Sequence, residues 1–301
     1  MTRVGFIGVG TMGRPMAKNL AAKGFVVTAY DTSAAALRAA AESGIASAAS
    51  AAEAVTRADL VVTMLPSSPQ VEAVYTGDGG VIAAARPGTL CVDMSTIDPA
   101  VCRRVARGAA ERGLRFLDAP VSGGVPRAVD GTLAIMVGGT AEDVEAARPA
   151  LQAMGANVVH VGPVGSGQVV KLCNNLIAGV AAVAVSEAFR IAEGFGVDPR
   201  VVTDVVSKSS GHTWVMEHMH PVPGLVPRAA ASQEYRAGFM TDLMCKDLGL
   251  AVDAARGLRL PVFVAGVAQQ VYRLASAQGL GKKDFTSVYT LLGPSDPTAP
   301  V

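Results

Sequence analysis

The chain has 301 residues, of which half are hydrophobic and 17% charged, and its 26 Lys and Arg nearly balance 25 Asp and Glu. An apolar share that large fills a core, which excludes a disordered chain, and at about 150 residues per domain the length suits two domains. A net charge of +1 leaves no broad basic surface, so nucleic acid and an anionic membrane surface are excluded as main partners. Cys91, Cys102, Cys173 and Cys245 form neither a Cys-x-x-Cys pair nor a zinc spacing, and they read as reduced thiols. The apolar run Val4-Gly5-Phe6-Ile7 is too short for a signal-peptide core. Leu176 to Val185 is about half the ~20 residues of a membrane span. A cytoplasmic protein is expected, with the Ala and Arg richness of a GC-rich bacterial genome.

Strand and helix alternate through the first half. Strands are expected at Val4–Ile7, Phe25–Tyr30, Leu60–Leu65, Thr89–Met94, Arg115–Leu117, Leu133–Val137 and Val158–Val161. Helices are expected at Pro15–Lys23, Ser33–Glu42, Pro69–Tyr75, Pro99–Arg112 and Ala141–Met154. Repeated β-α-β units with short connections specify an α/β fold, a doubly wound and mostly parallel sheet. Gly162-Pro163-Val164-Gly165-Ser166-Gly167 then breaks the pattern and marks a boundary. Residues 1–163 form one expected domain and 164–301 a second, all-helical one that opens with a long helix over about 168–193. Further helices are expected at Asp198–Ser207, Thr241–Arg256 and Val262–Gln278, with an ordered loop from His220 to Ala231 and a frayed tail at Pro294–Val301.

Gly8-Val9-Gly10-Thr11-Met12-Gly13 follows the first strand and opens the first helix. In that context Gly8 makes the tight turn, Gly10 lets the backbone approach a pyrophosphate, and Gly13 lets helix and strand pack closely. The amides of Thr11, Met12 and their neighbours at the helix N-terminus then face the phosphates. Asp31 ends the second strand eighteen residues past Gly13, where a carboxylate binds ribose hydroxyls and repels a 2′-phosphate. The cofactor is expected to be NAD rather than NADP. No P-loop lysine is present, which disfavours a nucleotide triphosphatase.

Ligands in open parallel sheets lie beyond the carboxyl ends of strands. Leu65-Pro66-Ser67-Ser68, Asp93-Met94-Ser95-Thr96 and Asp118-Ala119-Pro120-Val121-Ser122-Gly123-Gly124 all follow strands. Ser122, Gly123 and Gly124 offer a hydroxyl and amides to a carboxylate, or make an ordinary turn. Ser95-Thr96 could equally cap the helix that starts near Pro99. Lys171, Asn174 and Asn175 share one face of an otherwise apolar helix, at i, i+3 and i+4. A lysine bordering a cleft there is fit to exchange the proton of a hydroxyl becoming a carbonyl, its pKa lowered by partial desolvation or a neighbouring positive charge, or it is a solvated lysine, the commoner case for a lysine on a helix. Asp242 and Lys246, at i and i+4, form a surface ion pair on the simplest view. His218 and His220 flank Met219 in an expected loop, without the spacing of a metal site.

Together these segments resemble the β-hydroxyacid dehydrogenase family, over nearly the whole chain to about Leu292. The N-terminal signature is Gly5-Phe6-Ile7-Gly8-Val9-Gly10-Thr11-Met12-Gly13-Arg14-Pro15-Met16-Ala17-Lys18-Asn19-Leu20. The substrate signature is Asp118 to Gly124, followed by Ala128 and Gly131. The catalytic signature is Gly165-x-Gly167-x-x-x-Lys171-x-x-Asn174-Asn175. The resemblance implies a Rossmann-type first domain and Lys171 as general acid/base supported by Asn175. It implies substrate carboxylate on Ser122, Gly123 and Gly124 beside Asn174, and Thr96 touching cofactor and substrate. Leu65, Pro66 and Gln70 would line NAD and Lys246 would close over it, a functional role in place of the surface ion pair.

In the second half Trp214, Pro221-Val222-Pro223-Gly224, Gly238-Phe239, Lys246 to Ala251 and Lys282 to Val288 look like members that oxidise 3-hydroxyisobutyrate to methylmalonate semialdehyde. Trp214 and Phe239 would pack on the substrate's methyl group. Val9, Gly211-His212-Thr213 and His218-Met219-His220 depart from the commoner family residues, the last two beside the expected pocket. The resemblance implies no metal, a small carboxylate substrate, and a homodimer or homotetramer. Relatives acting on tartronate semialdehyde, glycerate or 4-hydroxybutyrate are the alternatives. A silent NAD-binding regulatory protein is a further one, against which the intact Lys171-Asn174-Asn175 set argues.

Overall fold

Strand residues of the first half alternate between two apolar layers, the pattern of a sheet buried on both faces. Phe6, Val62, Val92 and Leu117 pack into one core, while Ile7, Val61, Cys91 and Phe116 pack into the other. The computed structural model describes residues 1–293, and the Pro294–Val301 tail lies outside the described residues. The chain divides into two compact units, Met1–Lys171 and the residues from Leu172 on.

The first unit holds β1 (Arg3–Ile7), β2 (Val26–Tyr30), β3 (Ala46–Ser47), β4 (Leu60–Thr63), β5 (Leu90–Asp93), β6 (Arg115–Asp118), β7 (Val121–Ser122), β8 (Ala134–Gly138) and β9 (Asn157–Gly162). They form one sheet in the order β3-β2-β1-β4-β5-β6-β8-β7, with β9 also paired to β8. The pairings from β3 through β6 are all parallel. β8 runs antiparallel to β6 and β7, and β9 parallel to β8. The order reverses between β1 and β4, so the loops after these strands open side by side, the usual place for a ligand in such a sheet. This is the expected α/β Rossmann architecture.

The second unit contains helices and turns, with one isolated β-bridge between Met240 and Asp284 among the described residues. The helix Ser166–Gly194 runs 29 residues, longer at both ends than expected. An 18-residue stretch of it has a mean hydropathy of 1.7, so by length and composition alone it could cross a membrane, although 44% of that stretch is buried in the protein. The apolar run Leu176–Val185 ends at Ser186 and Glu187 as the sequence shows, and the longer span arises because the helix continues past them. The helix expected at Val262–Gln278 instead runs Phe263–Ala275 and loosens into a π-turn over Ser276–Leu280, where Gly279 adopts φ 86°. Val183, Met244, Leu248, Tyr272 and Phe285 anchor the main helical core.

His220 lies in the expected loop but is wholly buried. Its Nδ1 accepts the Val222 N–H at 3.1 Å, its Nε2 lies 3.3 Å from the Thr203 hydroxyl, and its ring meets Phe189 edge-on at 4.6 Å. Burial pushes its pKa down to about 4. The neutral ring therefore contributes stability in full above the unfolded value near 6.5, and loses it as pH falls through 4. At pH 4.5 the loss is on the order of a few kcal/mol. Urea titrations should show the stability gap between wild type and His220→Gln shrinking by about that much from pH 7 to pH 4.5; a constant gap contradicts the assignment.

Candidate active site

The glycine loop is shaped by three different demands. Gly8 has φ 93°, and a Cβ on it would lie 2.3 Å from the Met64 carbonyl oxygen. A Cβ on Gly13 would lie 1.9 Å from the Gly8 carbonyl oxygen. Gly10 meets nothing within 4 Å, so the chain itself leaves open the space that a side chain there would fill. That is the cradle a pyrophosphate needs. Asp31 stands at the end of β2, its Oδ2 accepting the Val9 N–H at 2.9 Å and its Oδ1 the Ser33 N–H at 2.8 Å. The carboxylate is thus fixed against the loop, with lone pairs left for ribose hydroxyls. Thr11 and Met12 carry the loop into the helix Gly13–Ala22. These residues fit a dinucleotide.

The loops after β4 and β5 are tied together from below. The Leu65 N–H donates to Ser95 Oγ at 2.9 Å, and that hydroxyl donates to Asp93 Oδ1 at 2.6 Å. The Thr63 hydroxyl donates to the same oxygen at 2.7 Å. Asp93 is wholly buried, its Oδ2 accepts no hydrogen bond, and burial pushes its pKa up to about 6. Ser95 is therefore a bracket between loops rather than a helix cap. The cap of the helix Pro99–Glu111 is Asp98, whose Oδ1 accepts the Ala100 N–H at 2.7 Å. Thr96 is half-buried between Ser95 and Ile97, and Pro66 and Gln70 are exposed, Gln70 accepting from the Ser67 hydroxyl.

Ser122 ends β7, and a short helix, Gly124–Asp130, begins at once. The segment is more than an ordinary turn: Gly123 has φ 132°, and Arg127 packs so close that a Cβ would lie 2.5 Å from its Cδ. Asp118, at the end of β6, accepts the Gly165 N–H at 2.6 Å and the Gln168 N–H at 2.9 Å. Gly167 lets the first turn of the Ser166–Gly194 helix descend onto that carboxylate, since a Cβ would lie 2.8 Å from Asp118 Oδ2. Lys171 follows one turn later and is 6% exposed.

In the second unit, Asn174 is exposed and donates to Asn175 Oδ1 at 3.0 Å. Asn175 is buried and donates to Asp247 Oδ2 at 2.5 Å. Lys246 Nζ lies 3.0 Å from Asp247 Oδ1, an ion pair without hydrogen-bond alignment. Asp242 accepts from the Ser276 hydroxyl at 2.6 Å. Asp247 was not singled out from the sequence. The signal was a second carboxylate beside Lys246 inside an apolar helix face. Trp214 is 56% exposed and stacks on His218 at 5.0 Å. The Phe239 and Gly238 amides both donate to buried Asp284, at 3.0 and 3.1 Å.

Residues 3–162 match the family described as the NAD binding domain of 6-phosphogluconate dehydrogenase, and residues 165–292 match that described as NAD-binding of NADP-dependent 3-hydroxyisobutyrate dehydrogenase. The mitochondrial 3-hydroxyisobutyrate dehydrogenase of Mus musculus is 41% identical over 98% of this chain and 88% of its own. The chain belongs to the β-hydroxyacid dehydrogenase family. Its similarity extends to the NAD-dependent L-serine dehydrogenase of Pseudomonas aeruginosa, 43% identical over 98% of this chain and 99% of that one. The Mycobacterium tuberculosis 3-hydroxyisobutyrate dehydrogenase solved with L-serine superposes with a TM-score of 0.93 at 41% identity, over 97% of this chain and 99% of that one. As a β-hydroxyacid dehydrogenase the chain is an NAD-dependent oxidoreductase.

Proposed function

We propose that this β-hydroxyacid dehydrogenase oxidises 3-hydroxyisobutyrate to methylmalonate semialdehyde, a step in valine breakdown, with Lys171 as general acid/base. The observation that carries this reading is a lysine only 6% exposed, on a helix whose first turn is pinned to Asp118. Lys171 Nζ takes the hydroxyl proton as the alcohol becomes an aldehyde. Asn175, its amide held by Asp247, presents a fixed dipole one helical turn further on. Ser122, Gly123, Gly124 and Asn174 bind the carboxylate. Trp214 and Phe239 give the methyl group an apolar contact. Bound NAD supplies the hydride acceptor. Gly8, Gly10, Thr11, Met12, Gly13 and Asp31 hold it, Leu65, Pro66, Gln70 and Thr96 flank it, and Lys246 covers it, with Asp31 selecting NAD over NADP. The division of labour is a nucleotide-binding domain over 1–163 and a helical domain over 164–301 for substrate and self-association.

A second substrate has specific support: L-serine differs from 3-hydroxyisobutyrate by an ammonium in place of the methyl, and a relative at 43% identity is named for it. Steady-state kcat/KM over 3-hydroxyisobutyrate, L-serine, glycerate and 4-hydroxybutyrate, each with NAD and NADP, decides the matter. The expected result is at least a tenfold preference for 3-hydroxyisobutyrate with NAD; a preference for L-serine or another acid replaces the proposed substrate.

Exposed apolar side chains on the helical unit support a homodimer or homotetramer. Ile177 and Ile191 on one helix are 67% and 64% exposed, and Phe263 and Val267 on another are 81% and 66% exposed, more than isolated surface residues need. The bacterial relatives support a cytoplasmic bacterial enzyme.

A further inference from the structure

Gln168 is fully buried on the first turn of the Ser166–Gly194 helix, and every polar group it can offer inward is used. Its side-chain Nε2 donates to the Ser95 carbonyl at 2.9 Å, and its Oε1 accepts the Ile97 N–H at 3.0 Å. Its own backbone N–H donates to Asp118 Oδ2 at 2.9 Å. The two side-chain bonds straddle Thr96, and Lys171 lies three residues on. One amide side chain therefore ties the loop after β5 to the helix bearing the lysine, both within the first unit.

We propose that Gln168 is the positioning residue that sets the Lys171 side chain in register with the Ser95–Thr96–Ile97 loop. It touches no reacting atom on this view and acts through its neighbours. The inference rests on Lys171 being the general acid/base. Two features favour a positioning role over simple core filling. A buried amide with both ends engaged has one orientation, whereas an apolar side chain of that size would leave the loop free to slide along the helix. The bonds also converge on the same short loop that Asp93 holds through Ser95, so the loop is fixed from two sides. A displacement of about 1 Å at a proton-transfer group is enough to cost on the order of 10²-fold in rate.

The test is Gln168→Met, which keeps the length and removes both side-chain bonds, beside Gln168→Glu, which keeps the size and the acceptor for Ile97 but removes the donor to Ser95. Three quantities are read on folded protein: kcat at saturating substrate and NAD, the NAD Kd by calorimetry, and amide exchange at Ile97 in the protein without ligands. Gln168→Met is expected to lower kcat tenfold or more, to leave the NAD Kd within threefold, and to speed Ile97 exchange at least tenfold. Gln168→Glu is expected to lower kcat by a similar factor with Ile97 still protected. Should Gln168→Met not fold, the Gln168→Glu variant alone decides: a wild-type kcat overturns the proposal. So does a wild-type kcat or unaltered Ile97 exchange in folded Gln168→Met. Lys171→Ala assayed in parallel separates the two readings, because full activity in that variant removes the acid/base assignment itself, whereas an inactive Lys171→Ala beside fully active Gln168 variants removes only the positioning role.

Discussion

Lys171→Ala is expected to lower kcat for hydroxyacid oxidation by about 10²–10⁴-fold, the usual contribution of a positioned general acid or base. The loss should fall on kcat rather than on cofactor affinity, because the groups proposed to hold the dinucleotide belong to the glycine loop and Asp31. Stability should change little in the same direction: alanine is a good helix former, and the first turn stays anchored through Asp118. Calorimetric NAD binding within threefold of wild type, together with the collapse of turnover, is the expected pair. A variant that keeps more than a tenth of wild-type kcat would move the proton-transfer role to another group. Lys171→Arg is a useful companion. It preserves the charge but cannot release a proton near neutrality, so it should be as slow as the alanine variant if proton exchange, rather than charge, is what the site requires.

Gly10→Val should give the second large effect, and of opposite kind. The chain leaves a Cβ at Gly10 unobstructed, so the folded protein should accept the valine with its melting midpoint within a few degrees of wild type. The valine methyl groups would occupy the space where a pyrophosphate must approach the backbone. NAD affinity should therefore drop by at least tenfold, measured by calorimetry or by quenching of intrinsic fluorescence. Gly13→Val is the contrast. There a Cβ would lie 1.9 Å from the Gly8 carbonyl oxygen, a backbone collision that the fold cannot relieve, so the expected outcome is loss of folded protein. If Gly10→Val binds NAD normally, the cradle has been misplaced.

Much of this was visible in the order of residues. The glycine loop, Asp31 and the Lys171 helix were legible because each depends on local chemistry: a turn, a strand end, a helical face. The parallel sheet was legible because Val, Ile and Leu repeat at strand length between alanine-rich helices. What stayed hidden depends on distant neighbours. The role of Ser95 is set by Leu65 and Asp93, and that of Gln168 by Ser95, Ile97 and Asp118. His220 is a loop residue beside Pro221, as its neighbours suggest, but its burial is set by Phe189 and Thr203, which lie far from it in sequence. Helical spacing pairs Lys246 with Asp242, a rule for exposed faces, and gives no hint of the buried carboxylate next to it, Asp247, whose Oδ1 lies 3.0 Å from its Nζ. The helix Gly124–Asp130 escaped because seven residues beginning with Gly carry little periodic signal.

The two outer strands of the sheet have a consequence for how copies of this chain can meet. β3, at one border, is only two residues long, and β9, at the other, pairs with β8 across a register break at Val137/Gly138. The His160 ring at that border reaches the carbonyls of Gly139 and Gly162 at 2.9 and 3.1 Å. Short or bulged borders give a poorer template for another strand, which works against extending the main-chain ladder at both ends. The homo-oligomer proposed above would then recognise itself through side-chain shape on its helices. That would tie partner choice to sequence rather than to generic backbone pairing, and work against polymerisation of an apolar, alanine-rich protein through its sheet.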